Sequence, residues 1–151
     1  MRSAQAQAAI ALDPPSTLRL WTDLRRWPSF VEGFGHSLEV APEWPSKGSR
    51  LVWESRPGGR GRVTERVVEN GEARFTTQVF EKALAGTQTL TALADPEGGS
   101  QVELRLDYEL ARPGPLRAVA DVLFIRRALR DALRRTLRRF AVEAEEEAGL
   151  R

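Results

Sequence analysis

Five polar or charged side chains fall where the sequence pattern predicts an apolar face, and these could carry chemistry. Strand alternation puts Glu65, Thr77, Gln88 and Tyr108 on inward faces, and helical periodicity puts Arg126 inside an apolar stripe. A few convergent polar groups in an apolar concavity are typical of a small-molecule site. The predicted ligand-binding set is completed by four apolar residues: Trp53, Phe75, Leu90 and Val122. The other tryptophans, Trp21, Trp27 and Trp44, are expected outside the pocket.

Glu65 and Arg126 give the sharpest expectation, because a buried charge without a partner is costly. The two can pair with each other, or Arg126 can bind a carboxylate or enolate of the ligand. Arg126 can also extend to the edge of the stripe, as long cationic side chains do. Thr77 and Gln88 have a simpler alternative in bonding the backbone. A register slip of one residue would turn the inward strand residues outward.

The residue inventory excludes several kinds of catalysis. The chain has no cysteine and a single histidine, His36, so thiol chemistry, histidine metal clusters and Ser-His-Asp triads are excluded. No metal and no cofactor is predicted. The stretch 58–61 (GGRG) lacks the Lys-Ser/Thr of a phosphate-binding loop and is interpreted as a turn. Only Glu65 and Tyr108 could act as a general acid or base inside the molecule. Catalytic residues therefore stay unassigned, and whether the protein is an enzyme stays open.

Composition indicates an ordinary globular protein. The 151 residues are predicted to form a single ligand-binding domain, and 29% charged with 41% hydrophobic residues is typical usage. The formal net charge is only +2, and acidic residues balance the arginine-rich last helix, so nucleic acid is not expected as a partner. No apolar run is long enough to span a membrane, and no signal peptide is evident, which makes the cytoplasm the expected location. The oligomeric state is expected to be a monomer or a homodimer.

The elements that must position these residues follow from turn signals and periodicity. A strand at 3–12 is followed by two short helices, which begin near Asp13-Pro14 and Trp27-Pro28. Six hairpin-linked strands come next, with Asn70-Gly71 the strongest turn signal. Their predicted ranges are 36–40, 50–55, 62–68, 73–80, 87–93 and 101–110.

One long helix, predicted over 116–147, closes the chain. Its apolar stripe includes Leu133, Leu137 and Phe140 at helical spacing, so this face should cover the sheet. Leu123 and Phe124 point away from the stripe, which is consistent with the first third of the helix bordering a cavity and its mouth.

The order of elements and several short motifs resemble a known superfamily. The chain is similar to the START-like (SRPBCC) proteins, and within them to the bacterial polyketide cyclase/dehydrase and lipid-transport family. The resemblance rests on five features: Asp13-Pro14, Trp27-Pro28, Gly48 before strand three, the stretch 98–102 (GGSQV) and the stretch 108–110 (YEL). These motifs are structural.

The resemblance implies an α+β helix-grip fold, in which a curved seven-stranded antiparallel sheet wraps around the C-terminal helix. Two short helices would separate strands one and two. It further implies a cavity that binds or carries a hydrophobic or amphipathic molecule such as a lipid, a quinone or a polyketide. The alternative is a cyclase or dehydratase that acts on a bound poly-β-keto chain. Peripheral contact with anionic lipid through Phe124, Arg127 and Arg130 is also expected.

Overall fold

The computed structural model describes residues 2–110 and 119–150, with the side chains of the last helix described from residue 124 onward. The described elements, in chain order, are β1 (Arg2–Ile10), α1 (Pro14–Trp21), a 3₁₀ helix (Leu24–Arg26), α2 (Trp27–Phe30), β2 (Phe34–Val40), β3 (Arg50–Ser55), β4 (Arg62–Asn70), β5 (Arg74–Phe80), β6 (Leu84–Ala94), β7 (Ser100–Leu110) and α3 (Val119–Gly149). None of these helices is both long enough and apolar enough to cross a bilayer. The single domain and the cytoplasmic location stay predictions.

The strands form one antiparallel sheet in the order β1-β7-β6-β5-β4-β3-β2. The predicted helix-grip architecture is confirmed, with a curved sheet, a long C-terminal helix and short helices between β1 and β2. The main difference lies in β6, which begins three residues before its predicted start because Leu84 pairs with Leu110 of β7. The predicted start of the long helix falls within residues 111–118, outside the described residues.

Strand alternation sets the two faces of the sheet. In β7, Val102, Leu104, Leu106 and Tyr108 are buried, while the residues between them are exposed or half-buried. This period of two is what an antiparallel sheet with one wet face requires. The concave face of the sheet therefore carries the apolar residues, and α3 lies over that face.

Small side chains in β1 let the long helix approach the sheet. Ala4 and Ala6 are buried and lie opposite Leu106 and Leu104 of β7. α3 packs against β1 more extensively than against any other strand. Alanines at these positions add little bulk between the helix and the strand, so they allow close packing.

Aromatic rings fix the second half of α3. Phe140 is fully buried, and its ring centroid lies 5.2 Å from that of Trp21 and 5.0 Å from that of Phe30. Leu133 and Leu137 are buried on the same side of the helix, as the stripe predicts. The short helices α1 and α2 thus form the surface on which this half of α3 rests.

Ion pairs surround this aromatic contact. Arg26 contacts Glu143 at 2.8 Å and Glu147 at 3.0 Å, both through side-chain nitrogens and oxygens. Glu32 receives hydrogen bonds from Arg135 at 3.0 Å and from Arg139 at 2.7 Å. Because these pairs are partly exposed, each contributes about 0–1 kcal/mol. Their main effect is to set the orientation of α3 relative to the short helices.

Truncation of Phe140 tests this packing. Phe140→Ala should lower the free energy of unfolding by about 3–5 kcal/mol, because it empties a fully buried site between two other rings. Val142→Ala is the matched control on the same helix, since Val142 is exposed and should change stability by less than about 0.5 kcal/mol. Urea unfolding followed by circular dichroism measures both. Equal losses for the two variants would mean that the Phe140 ring does not pack in the core.

Candidate functional site

A cavity of about 780 Å³ lies between the sheet and α3. Its wall is mainly apolar and aromatic, with contributions from the short helices, the sheet and the long helix. Representative wall residues are Trp21, Trp27, Trp53, Leu104, Leu106 and Leu133. Volume and lining both fit a small-molecule site.

The cavity exists because α3 is covered along only part of its length. From Leu133 onward the apolar stripe is buried, whereas Ile125 and Leu129 are only half-buried and face the cavity. Ala128 and Ala132 also line this part and leave space because their side chains are small. The helix surface from Phe124 to Thr136 therefore borders the cavity. Most of the predicted first third of the helix precedes Phe124 and lies outside the described side chains.

The mouth is marked by residues that line the cavity and are also exposed. These are Gly59 in the β3–β4 loop, Lys82 and Ala83 between β5 and β6, and Phe124 and Ala128 on α3. Phe124 is 72% exposed, which is unusual for a phenylalanine. The opening thus lies between two sheet turns and the start of the described helix surface.

Glu65 is the central polar group of the cavity. It lies on β4 between Leu51 of β3 and Val79 of β5, and only 4% of it is exposed. Trp53 donates from Nε1 to its Oε2 at 2.8 Å, and Thr77 donates from Oγ1 to its Oε1 at 3.0 Å. Both carboxyl oxygens are therefore held by inward residues of the flanking strands.

Burial raises the pKa of Glu65 above its ordinary value of 4.5. The hydrogen bonds from Trp53 and Thr77 and the positive charge of Arg60 act in the opposite direction, while the negative charge of Glu81 adds to the rise. Loss of water is the largest of these effects. The carboxyl group consequently holds its proton more tightly than an exposed glutamate does.

Arg60 is the cation whose charge acts on this carboxyl group. It pairs with Glu81 across the two sheet turns, and its guanidinium carbon lies 5.3 Å from the centroid of the Trp53 ring. Both Arg60 and Glu81 line the cavity. Sequence reasoning missed these two residues because loops have no periodicity from which an orientation could be predicted. The only available signal was a charged residue inside a glycine-rich hairpin.

Four of the predicted site residues come together. Trp53, Glu65 and Gln88 line the cavity, and Thr77, which does not line it, donates a hydrogen bond to Glu65. The burial of Trp53, Glu65 and Thr77 agrees with the inward orientation predicted from strand parity. Gln88 is only half-buried, and its inward orientation is seen from its place in the cavity wall. Their role in ligand binding stays a prediction.

Three predicted residues are buried without lining the cavity. Phe75 packs against the Trp44 ring at 5.8 Å and pairs with Leu90 of β6, so both lie in the filled half of the core. Tyr108 is fully buried, and its hydroxyl has no hydrogen-bond partner among the described residues. The side chain of Val122 lies outside the described residues.

The structure agrees with the alternative in which the Arg126 side chain extends to the edge of the stripe, and it does not support a place for Arg126 in the ligand-binding set. Arg126 is exposed, does not line the cavity, and makes no ion pair with Glu65. Its place in the apolar stripe does not bury it because the sheet does not cover this part of α3, and a long cationic side chain extends to water where it can. An ion pair between Arg126 and Glu65 does not fit this geometry. A ligand anion held in the cavity by Arg126 does not fit it either.

Two tryptophans were also misplaced by the sequence reasoning. Trp21 and Trp27 line the cavity, whereas Trp44 does not. Trp27 is oriented by a hydrogen bond from its Nε1 to the carbonyl of Trp21 at 2.8 Å. The short helices place both rings in the cavity wall facing α3. This placement depends on packing between residues that are distant in the sequence.

Solved structures show the same architecture. The di-domain ARO/CYC protein StfQ from the steffimycin biosynthetic pathway is 16% identical, with a TM-score of 0.77 over 97% of this chain and 51% of StfQ. The chain thus spans about half the length of StfQ. TTHA0849 from Thermus thermophilus is 17% identical, with a TM-score of 0.75 over 97% of this chain and 99% of that one. A START superfamily protein from Mycobacterium smegmatis is 12% identical, with a TM-score of 0.77 over 95% and 97%.

The curved sheet, the long helix and the cavity between them define a helix-grip, START-like protein. The family model described as polyketide cyclase / dehydrase and lipid transport matches residues 1–145. The chain belongs to this family, as its sequence motifs suggest. No protein with a curated description matches the sequence.

The titration of Glu65 gives a testable dependence of stability on pH. Above the ordinary carboxyl pKa of 4.5, and up to the raised pKa of the folded state, the folded chain binds more protons than the unfolded one. The free energy of unfolding therefore falls as pH rises through this window. Glu65→Gln removes the titration and can keep both hydrogen bonds, since Thr77 can rotate its hydroxyl to accept. The stability of Glu65→Gln relative to wild type should thus increase with pH and then level off.

Urea unfolding of both proteins at a series of pH values measures this difference. Glu103→Gln is the control, because Glu103 alternates with the buried residues of β7 and points to the outer face. The change with pH in Glu65→Gln should exceed the change in this control. A flat or falling difference for Glu65→Gln would contradict the raised pKa.

Proposed function

We propose that this protein binds and carries an apolar or amphipathic small molecule in the cavity between the sheet and α3. The single observation that carries the proposal is a cavity of about 780 Å³, apolar along most of its wall and polar around Glu65. Family membership supports it, since the family description includes lipid transport. A lipid, a quinone or a polyketide-like molecule has the required character.

A cyclase or dehydratase that acts on a bound poly-β-keto chain is the second candidate. It is favoured by a carboxyl group with a raised pKa inside the cavity, because such a group can exchange protons with a bound substrate. The family description and the fold shared with StfQ are compatible with it. Supplying the protein to a reconstituted polyketide synthase would distinguish the two: a carrier leaves the product pattern unchanged, and a cyclase shifts it toward one cyclised product.

We also propose that the mouth contacts an anionic membrane surface. Phe124 is exposed there, and Lys82, Arg127 and Arg130 are exposed on the neighbouring surface. Within the described residues, no ion pair occupies Arg127 or Arg130. Phe124 would enter the lipid interface while the cations contact phosphate groups. Such contact would bring the opening of the cavity to the source of an apolar ligand.

Filling the cavity tests the carrier proposal. Ala132→Trp places a large ring in the cavity, because Ala132 lines it, and should weaken binding of an apolar fluorophore such as Nile red at least about tenfold. Val142→Trp is the matched control, since Val142 is exposed on the same helix and should leave binding unchanged. Fluorescence titration gives the dissociation constants, and circular dichroism checks that both variants are folded. Equal affinity for wild type and Ala132→Trp would place the fluorophore outside the cavity.

Charge reversal tests the membrane contact. The double variant Arg127→Glu, Arg130→Glu should lower binding to vesicles containing phosphatidylglycerol by about tenfold or more, since each cation near an anionic surface contributes about 1 kcal/mol. Arg134→Glu with Arg138→Glu is the control, because both residues are exposed but lie farther along α3 from the mouth. Vesicle flotation measures binding, with pure phosphatidylcholine as the neutral reference. An equal loss of vesicle binding in both double variants would show that the overall charge of the helix, and not the residues beside the mouth, attracts the vesicle.

A further inference from the structure

Glu65 has unused capacity to accept hydrogen bonds. Each of its oxygens accepts one bond, from Trp53 and from Thr77, whereas an ionised carboxyl group has about four acceptor positions. No other donor in the described part of the chain reaches either oxygen. Because Glu65 is 4% exposed and lines the cavity, the remaining positions are accessible only from inside it.

The charges around Glu65 leave it without a cation of its own. Arg60 is engaged with Glu81, whose side chain is only 5% exposed, and is stacked over Trp53. It forms no direct ion pair with Glu65, so one guanidinium serves two buried carboxyl groups. Lys82, the other cation among the described residues that line the cavity, is exposed at the mouth. The polar end of the cavity therefore has more acceptor than donor capacity.

When Glu65 is ionised, a ligand corrects this imbalance by donating a hydrogen bond. A ligand carboxylate would meet two carboxyl groups and a guanidinium that is already paired, which is unfavourable in a site removed from water. A hydroxyl or an ammonium would satisfy an open position on Glu65 and offset the loss of water that raises its pKa. The rings of Trp21, Trp27 and Trp53 in the same cavity also suit an ammonium, because aromatic faces attract cations.

We infer that the cavity recognises an amphipathic ligand whose polar end is a hydrogen-bond donor, a hydroxyl or an ammonium, and that Glu65 accepts from it. This inference rests on the proposed binding function and names its ligand class. A donor at the polar end of the ligand is the opposite of the carboxylate or enolate that the position of Arg126 in the sequence suggested.

Four ligands with the same chain test the inference: dodecanol, dodecylamine, dodecanoate and methyl dodecanoate. Each is titrated against wild-type protein loaded with Nile red, and displacement gives its affinity. Dodecanol and dodecylamine should bind about tenfold or more tightly than dodecanoate and the ester. A preference for only one of the donors supports the inference and identifies the donor. Tightest binding of dodecanoate, or equal binding of all four, would overturn it.

Glu65→Gln shows whether this residue makes the distinction. The amide keeps a carbonyl acceptor but loses the charge, so the preference for dodecylamine over the ester should fall about tenfold and that for dodecanol less. Glu103→Gln, on the outer face of β7, should keep the wild-type ranking. An unchanged ranking in folded Glu65→Gln would remove Glu65 from the role proposed for it.

The two proposals fail in different ways. If neither Nile red nor any of the four ligands binds wild-type protein, the binding function itself is wrong. If Nile red binds and the ligands displace it without preference for a donor, only the ligand class is wrong. The ranking of the four ligands is measured on wild-type protein. It therefore tests the ligand class even if Glu65→Gln does not fold.

Discussion

The contact of Phe140 with Trp21 and Phe30 is the constraint on which the rest of the structure depends. It fixes one half of a long helix at one end of a curved sheet, and the ion pairs of Arg26 and Glu32 set the orientation of the helix around that point. The apolar stripe is packed from Leu133 onward, and the described helix residues before it, among them Ile125 and Leu129, line the cavity.

The cavity in turn decides what the buried polar residues can do. In a filled core, a glutamate at the position of Glu65 would be a costly defect. At the edge of a cavity, the same residue can be held by Trp53 and Thr77 on one side and remain open to a ligand on the other. Burial raises its pKa for the same reason that it would favour a ligand donor: the carboxyl group has lost water and gained too few donors in return.

The mouth of the cavity is the route by which a ligand would reach Glu65. The pair between Arg60 and Glu81 connects the two sheet turns beside the opening, and the exposed ring of Phe124 lies on the helix side. Arg60 therefore has two neighbours, the Trp53 ring inside and Glu81 at the rim. A ligand that entered past these residues would reach Glu65 at the polar end of the same space.

Much of the fold follows from the sequence alone, because its signals are local. The alternation of β7, the turn at Asn70-Gly71 and the stripe through Leu133, Leu137 and Phe140 are set by the backbone periods of strands and helices. The same alternation predicted that Trp53, Glu65, Thr77 and Gln88 face inward. Only the tertiary structure decided how these faces meet. It exposed Arg126, because burial depends on whether another element covers a stripe, and periodicity cannot report that coverage. It brought Arg60 and Glu81 to the cavity, and Trp21 and Trp27 into its wall, because loops and short helices take their orientation from long-range packing.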